Sequence, residues 1–351
     1  MKVLELYSGI GGMHYALEAS GVPGKVVASM DINTVANEVY KHNFPGVRNI
    51  NRNIESLSVK EIEGMGVDSI FMSPPCQPFT RVGLRKDSED NRSSSLFHLL
   101  GIIPQIESLK HVLVENVKGF EASQTRDALV ACLVKSGFNY KEFILSPCQF
   151  GVPNTRHRYY LLAKRNFLRF CFSNTVLTSS IPEETMRHLP NDFHRDLARE
   201  DNEGSAESAK ICYRLERVIE KTGDTERFSL PEQVLRKRAS VLDVRTPESK
   251  GSCCFTKAYG RYVEGTGSIF SPLSEKTVDE NVVRFKKLRD SSSDFLEPLI
   301  ALKLRFFTPR EVSRLMCFPD SFGFPNTITD KQKYRLLGNS INVHVVSRLI
   351  Y

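Results

Sequence analysis

Over the first half of the chain the apolar positions follow two alternating rhythms. Short runs of strand character recur at Val3-Leu4-Glu5-Leu6-Tyr7, Val26 to Met30, Ser69-Ile70-Phe71-Met72 and His111-Val112-Leu113-Val114. Between them, Met13 to Ala19, the segment holding Val35-Ala36-Asn37-Glu38, and Leu96 to Leu109 have helical spacing. Strand alternating with helix predicts an α/β fold on a Rossmann-like sheet. Phe143-Ile144-Leu145 and Arg158 to Ala163 read as an antiparallel pair, with Arg156 and Arg158 on one face. From about Asn166 the rhythm is lost. Pro182 to Ser208 is polar and acid-rich and is expected to be a loop or partly disordered. Thr308-Pro309-Arg310-Glu311 carries a helix-start signature, and Ile341 to Leu349 reads as an apolar helix returning to the first domain. The expected division is residues 1–165, completed by 330–351, and a smaller mixed domain over 166–329 with a flexible loop near 182–208. Tyr351 carries no helix-end signal, so a few further residues are expected after it.

The candidate chemistry sits where predicted strands end. After the first comes Ser8-Gly9-Ile10-Gly11-Gly12, a tight turn into a helix, where backbone amides approach a ligand closely. The spacing is not that of a dinucleotide fingerprint. Asp31 ends the second strand, placed either to accept from ribose hydroxyls or to cap the next helix. Asn51 to Ile54 close a third strand region and could flank an adenine, which together outlines an adenosyl pocket. Ser73-Pro74-Pro75-Cys76-Gln77 is a stiff loop holding one thiol at the sheet edge. The polar stretch from Arg81 to Ser95 reads as either a lid or a plain connection. Glu115 ends the next buried strand as a helix cap or a catalytic acid.

Composition narrows the class. The 351 residues include 40% hydrophobic and 25% charged positions, ordinary for a soluble protein, and a net charge of +7 mildly favours an acidic partner. Eight cysteines form no C-x-x-C pair, so no zinc site is expected. No signal peptide and no membrane-length apolar run is legible, so an intracellular protein is expected, cytoplasmic with a nuclear share as a second option. Cys253 to Tyr262 mixes aromatics with cations, and Arg284, Lys286, Lys287 and Arg289 form a second basic cluster, either a nucleic-acid surface or a solvated helix face.

The ordered series Leu6 to Gly12, Pro74-Pro75-Cys76-Gln77, Glu115-Asn116-Val117, Arg156-His157-Arg158 and Gly338-Asn339-Ser340 resembles the cytosine-C5 methyltransferase family. Within it, Cys253-Cys254-Phe255-Thr256 resembles the signature of the tRNA-aspartate cytosine-5 branch, which keeps a DNA-methyltransferase framework. The resemblance implies S-adenosylmethionine as donor and no metal. It implies Cys76 as the nucleophile adding to cytosine C6, Glu115 as proton donor to N3, Arg158 at O2 and Arg156 as its neighbour. For the donor it implies Ile10, Gly11, Gly12, Asp31, Ile32, Asn53, Ile54, Ser73, Pro75, Asn339 and Ser340. Asp31 replaces the Glu of many relatives, Asn53 replaces an Asp, and Ile32 replaces an aromatic stacker of some bacterial members. The substrate expected is an anticodon-loop cytosine, with DNA as the alternative polymer and a non-catalytic nucleic-acid binder as a further one. The grip is expected from Phe255, Thr256, Lys257, Tyr259, Arg261, Arg284, Lys286, Lys287 and Arg289 on a monomeric protein.

Overall fold

Side chains alternate across a strand, and this chain places apolar residues at both parities. Val3, Phe71 and Leu113 enter one buried layer; Leu4, Ile70, Met72, Val112 and Val114 enter the other. Both faces of the sheet therefore need cover, as in a parallel sheet wound on both sides. The computed structural model describes residues 1–75, 94–172, 177–182, 193–202, 212–221, 223–288 and 296–351.

Strands β1 (Lys2–Leu6), β2 (Lys25–Asp31), β3 (Arg48–Asn51), β4 (Ser69–Met72), β5 (His111–Val117), β6 (Phe138–Leu145) and β7 (Arg158–Arg165) form one sheet, in the order β3-β2-β1-β4-β5-β7-β6. The first five pair in parallel, and β7 runs antiparallel to both β5 and β6. Helices α1 (Gly12–Ser20) and α2 (Thr34–Asn43) cover one face, while α3 (Val59–Gly64), α4 (Ser94–Ile102) and α5 (Gln124–Lys135) cover the other. Asn33 caps α2 by accepting from Val35 and Ala36 amides, so Asp31 is not needed as the cap. In the middle of β1, Glu5 is fully buried, with Tyr40 donating to one carboxylate oxygen at 2.9 Å. Burial pushes its pKa up to about 8, against the lowering effect of Tyr40 and nearby amides.

Beyond the sheet follow α6 (Phe193–Glu200), α7 (Glu232–Arg238), β8 (Val244–Arg245), β9 (Ile269–Phe270), α8 (Glu275–Leu288), α9 (Glu297–Ala301), β10 (Arg305–Phe306), α10 (Pro309–Leu315), α11 (Asp330–Asn339) and α12 (Val343–Ile350). Strands β8 to β10 make a small second sheet, and α12 packs along α1. Phe255, Tyr259, Phe270 and Phe307 are buried in the same apolar layer as α1 and α12. The expected helix start at Thr308 is present as a capping box, and Arg305 forks onto Glu311 at 2.7 and 2.8 Å.

Two expectations need correction. The stretch expected as a loop near 182–208 contains helix α6, where Ala198 is buried and Leu197 packs against the core. The helix expected to reach Leu109 ends at Ile102; Pro104 then sits in a tight 3-10 turn, Ile103–Gln105. Of the expected lid over 81–95, residues 81–93 lie outside the described residues, and Ser94 and Ser95 open α4.

Candidate active site

Register decides which loops meet. Leu6 pairs with Met72, and Met72 with Val114, so the residues following β1, β4 and β5 emerge at one sheet edge. That carboxyl edge is where open α/β sheets hold ligands. Antiparallel β7 starts at the same edge, with Arg158 opposite Val117 and Tyr160 opposite Glu115. The result is a cavity of about 390 Å³ whose wall runs from the glycine turn through Asp31 and Ser73 to Glu115, Arg158 and Ser340.

One half of the cavity is built around the turn. Gly9 and Gly11 adopt φ of 53° and 85°, a region costly for residues with a Cβ. The amides of Met13 and His14 in the first turn of α1 face the buried Glu5 carboxylate, while Gly9, Ile10 and Gly12 line the cavity. Asp31 accepts from the amides of Gly9 and Asn33, each at 2.8 Å, and so fixes the turn against β2. Burial raises its pKa, opposed by the amides of Asn33, Gly9 and Ile32. Ile32 is 68% exposed at the rim, an apolar surface suited to a flat ring. Ile10, Gly12, Ser73, Pro75, Asn339 and Ser340 all line the cavity.

Expected donor residues Asn53 and Ile54 do not line it. The Asn53 side chain instead accepts from Glu55 to cap a short 3-10 turn, and Ile54 is buried beneath. Gly11 sits behind the wall, where a Cβ would come within 2.4 Å of the Phe44 ring.

The other half gathers charge. Glu115 is buried, with Arg158 Nε 3.5 Å from its Oε1. Burial raises its pKa, against Arg158, Arg156 and a hydrogen bond with Ser73. Burial works against the charge of Arg158, but Cys254 and Glu115 together raise its pKa. Asn116 donates to the Pro74 carbonyl at 3.3 Å and so steadies the Pro-Pro strand exit. Cys76, the next residue but one, lies outside the described residues, as does Arg289.

Arg156, grouped with the catalytic residues from sequence, is placed as a brace. Only 2% exposed, it donates to the carbonyls of Phe255 at 3.1 Å, Gly338 at 3.2 Å and Ser340. These bonds tie the Cys254-Phe255 segment and the end of α11 to the start of β7. The approach is close: a Cβ on Gly338 would fall 2.2 Å from the Lys257 amide nitrogen.

Cys254 is the residue that sequence reasoning missed. Its Sγ accepts from Arg156 at 3.4 Å and from Arg158 at 3.8 Å. Burial would raise its pKa, but the two guanidiniums outweigh that and lower it. The signal was available, since Cys254 stands directly before Phe255 in the Cys-Phe-Thr triad.

The expected nucleic-acid residues divide. Phe255 and Tyr259 need correction: at 1% and 3% exposure both rings are packed in the core, edge-on to one another, and offer no face for a base. Lys257 lines the cavity, and Thr256 precedes it in the segment packed against Gly338. Arg261 is exposed and lies over the exposed Tyr262 ring. On α8, Arg284 pairs with Glu297 at 2.8 Å, while Lys286 and Lys287 are exposed. Burial, Lys118 and Arg158 hold the His157 pKa below its ordinary value, which favours the neutral ring.

Comparison with known proteins agrees with this geometry. The sequence profile described as C-5 cytosine-specific DNA methylase matches residues 1–351. A tRNA (cytosine(38)-C(5))-methyltransferase from Spodoptera frugiperda is 45% identical, over 99% of this chain and 98% of its own. A Homo sapiens protein of the same name is 42% identical, over 100% of this chain and 98% of its own. The crystal structure of a Spodoptera frugiperda DNMT2 triple mutant superposes with a TM-score of 0.85 at 44% identity, covering 99% of this chain and 98% of that one. With its sheet order, its glycine turn and its Glu115–Arg158 pair, this chain belongs to the C-5 cytosine-specific methylase family, whose members are S-adenosylmethionine-dependent enzymes.

Proposed function

We propose that this protein transfers a methyl group from S-adenosylmethionine to C5 of a cytosine in the anticodon loop of a tRNA, with aspartate tRNA as the substrate. The observation that carries the reading is the single cavity that joins the glycine turn and Asp31 to the Glu115–Arg158 pair. The residues present fit the donor. The turn at Gly9, Ile10 and Gly12 suits its amino-acid end, Asp31 suits ribose hydroxyls, and exposed Ile32 suits the adenine. When bound, the sulfonium supplies an electrophilic methyl group.

Cytosine C5 is a poor nucleophile on its own. A Cys76 thiolate adding to C6 pushes the ring electrons toward N3, where Glu115 donates its proton. A carboxyl with a raised pKa holds that proton closer to neutrality, as burial provides for Glu115. Arg158 donates to the cytosine O2 and stabilises the density that gathers there. C5 then takes the methyl group, its hydrogen leaves to water as a proton, and the C6–sulfur bond breaks with return of the thiolate. Glu115 recovers its proton from N3 in the same step.

An anticodon-loop base is already partly unstacked, which lowers the cost of bringing it to the cavity. Lys257, Arg261, Lys286 and Lys287 would meet the phosphates, with residues 166–329 as the target-recognition part of a monomer. DNA methylation is the second reading, favoured by the description of the matching family. Side-by-side kinetics on aspartate tRNA transcript and cytosine-containing duplex DNA separate the two. The tRNA rate should exceed the DNA rate; an equal or faster DNA rate overturns the RNA assignment.

A further inference from the structure

The Tyr259 ring lies in the core, and its hydroxyl joins two backbone groups from separate segments. It donates to the Ser268 carbonyl at 2.6 Å and accepts from the Phe307 amide at 2.8 Å, all three residues being buried. A buried backbone group left unpaired costs free energy, so both segments are tied to this one oxygen. From α11, Tyr334 donates to the carbonyl of the same Phe307 at 2.6 Å. Both backbone groups of Phe307 are thus held by tyrosine hydroxyls.

Each segment reaches the active site in one step. Ser268 Oγ accepts from the amide of Cys253 at 2.8 Å. The Phe307 ring packs edge-on against Phe255 with centroids 5.4 Å apart, and the Tyr259 ring lies edge-on to it at 4.9 Å. Gly267 completes this seat, since a Cβ there would fall 2.7 Å from both the Phe255 and Tyr259 rings. Between the Cys253 amide and the Phe255 ring stands Cys254. Its Sγ accepts from Arg158 at 3.8 Å, and Arg158 faces Glu115. Fixed on both sides, this thiol has little freedom to leave the guanidinium.

We propose that Tyr259 is a positioning residue: by joining Ser268 to Phe307, its hydroxyl holds Cys254 on Arg158 and so keeps the Arg158–Glu115 pair aligned for the base. The effect on turnover rests on the methyl-transfer reading, and the test keeps the two separable.

The test compares Tyr259→Phe, Cys254→Ala, the double variant and Ser123→Ala with the wild type. Tyr259→Phe removes the hydroxyl and keeps the ring. Ser123→Ala is the control for lost stability, since it removes a buried hydroxyl and the cap of α5 on the opposite face of the sheet. Turnover should fall about fivefold in Tyr259→Phe, the scale of one hydrogen bond, with donor affinity by calorimetry within about twofold. The double variant should be no slower than Cys254→Ala alone, because both changes free the same guanidinium. The second readout needs no methyl transfer: the pH profile of Cys254 alkylation by iodoacetamide, followed by mass spectrometry. Its midpoint should rise in Tyr259→Phe, because the thiolate is the reacting form and the guanidiniums beside it favour that form. Tyr334→Phe, which frees only the Phe307 carbonyl, is the second variant and should raise the midpoint by less. In Ser123→Ala both turnover and midpoint should match the wild type. Multiplying losses in the double variant would overturn the proposal. So would an equal rise in Ser123→Ala, or an unmoved midpoint in Tyr259→Phe, or in Tyr334→Phe if the first does not fold. A raised midpoint in Tyr259→Phe, when the wild type transfers no methyl group, would refute the reaction and leave the positioning role supported.

Discussion

Arg156→Ala should lower stability and loosen the site together, because one buried guanidinium holds three chain segments. The substitution removes the donors to Phe255 and Gly338 carbonyls at 3.1 and 3.2 Å, to Ser340, and to the Cys254 thiol at 3.4 Å. A hydrogen bond from a charged group contributes about 1.5–3 kcal/mol alone, but bonds from one side chain do not add. Truncating one partner of a buried charged cluster costs about 3–5 kcal/mol, and that is the loss expected here. Against a typical total of about 5–15 kcal/mol, the variant should fold with a reduced margin. Urea denaturation should show a lower midpoint at unchanged slope. Arg156→Lys keeps the charge without the fork and should fall between. A midpoint for Arg156→Ala that corresponds to less than about 0.5 kcal/mol of loss, within the range of an ordinary surface change, would refute the bracing role.

Three further outcomes follow from the geometry. Asp31→Ala should weaken donor binding by about 1–3 kcal/mol, measured by calorimetry, because it frees Gly9 and removes the carboxylate proposed to accept from ribose; unchanged affinity would contradict this. Cys254→Ala should lower turnover about tenfold with donor affinity unchanged, since Arg158 loses an acceptor and drifts from Glu115; wild-type kinetics would contradict it. Glu5 has a folded pKa of about 8 against an ordinary value of 4.5, so its contribution is fully present below 4.5 and is lost as pH rises toward 8. Glu5→Gln should flatten that fall in stability, and equal pH slopes for variant and wild type would refute the assignment.

What the sequence made legible was whatever follows from short-range pattern. Strand runs at 3–7, 26–30, 69–72 and 111–114 alternating with helical spacing implied a Rossmann-like sheet, and register then brought Asp31, Ser73 and Glu115 to one edge. Contacts made across long separations left no such trace. Arg156 meets Gly338 and Ser340 more than 180 positions away, and its role as a brace needs the fold to bring them together. Composition misled at Phe255 and Tyr259, because an aromatic ring beside cations reads alike whether it faces a base or the core. Asn53 misled for the opposite reason: its side chain is occupied by a local cap that takes it off the wall. Helix α6 escaped notice because it is only eight residues long and its apolar face is reduced to Phe193, Leu197 and Ala198 within a polar, acid-rich stretch.

The central claim is a covalent route through Cys76 in a cavity that also binds the donor, and a trapping reaction tests it most directly. An aspartate tRNA transcript made with 5-fluorocytidine keeps C6 open to attack but carries no hydrogen at C5 for release. Incubated with the wild-type protein and S-adenosylmethionine, it should give a protein–RNA adduct that survives a denaturing gel and maps to Cys76 by mass spectrometry. Cys76→Ala should give none. Methylation of the ordinary transcript without any adduct on the fluorinated one, or an adduct that persists in Cys76→Ala, would contradict the account.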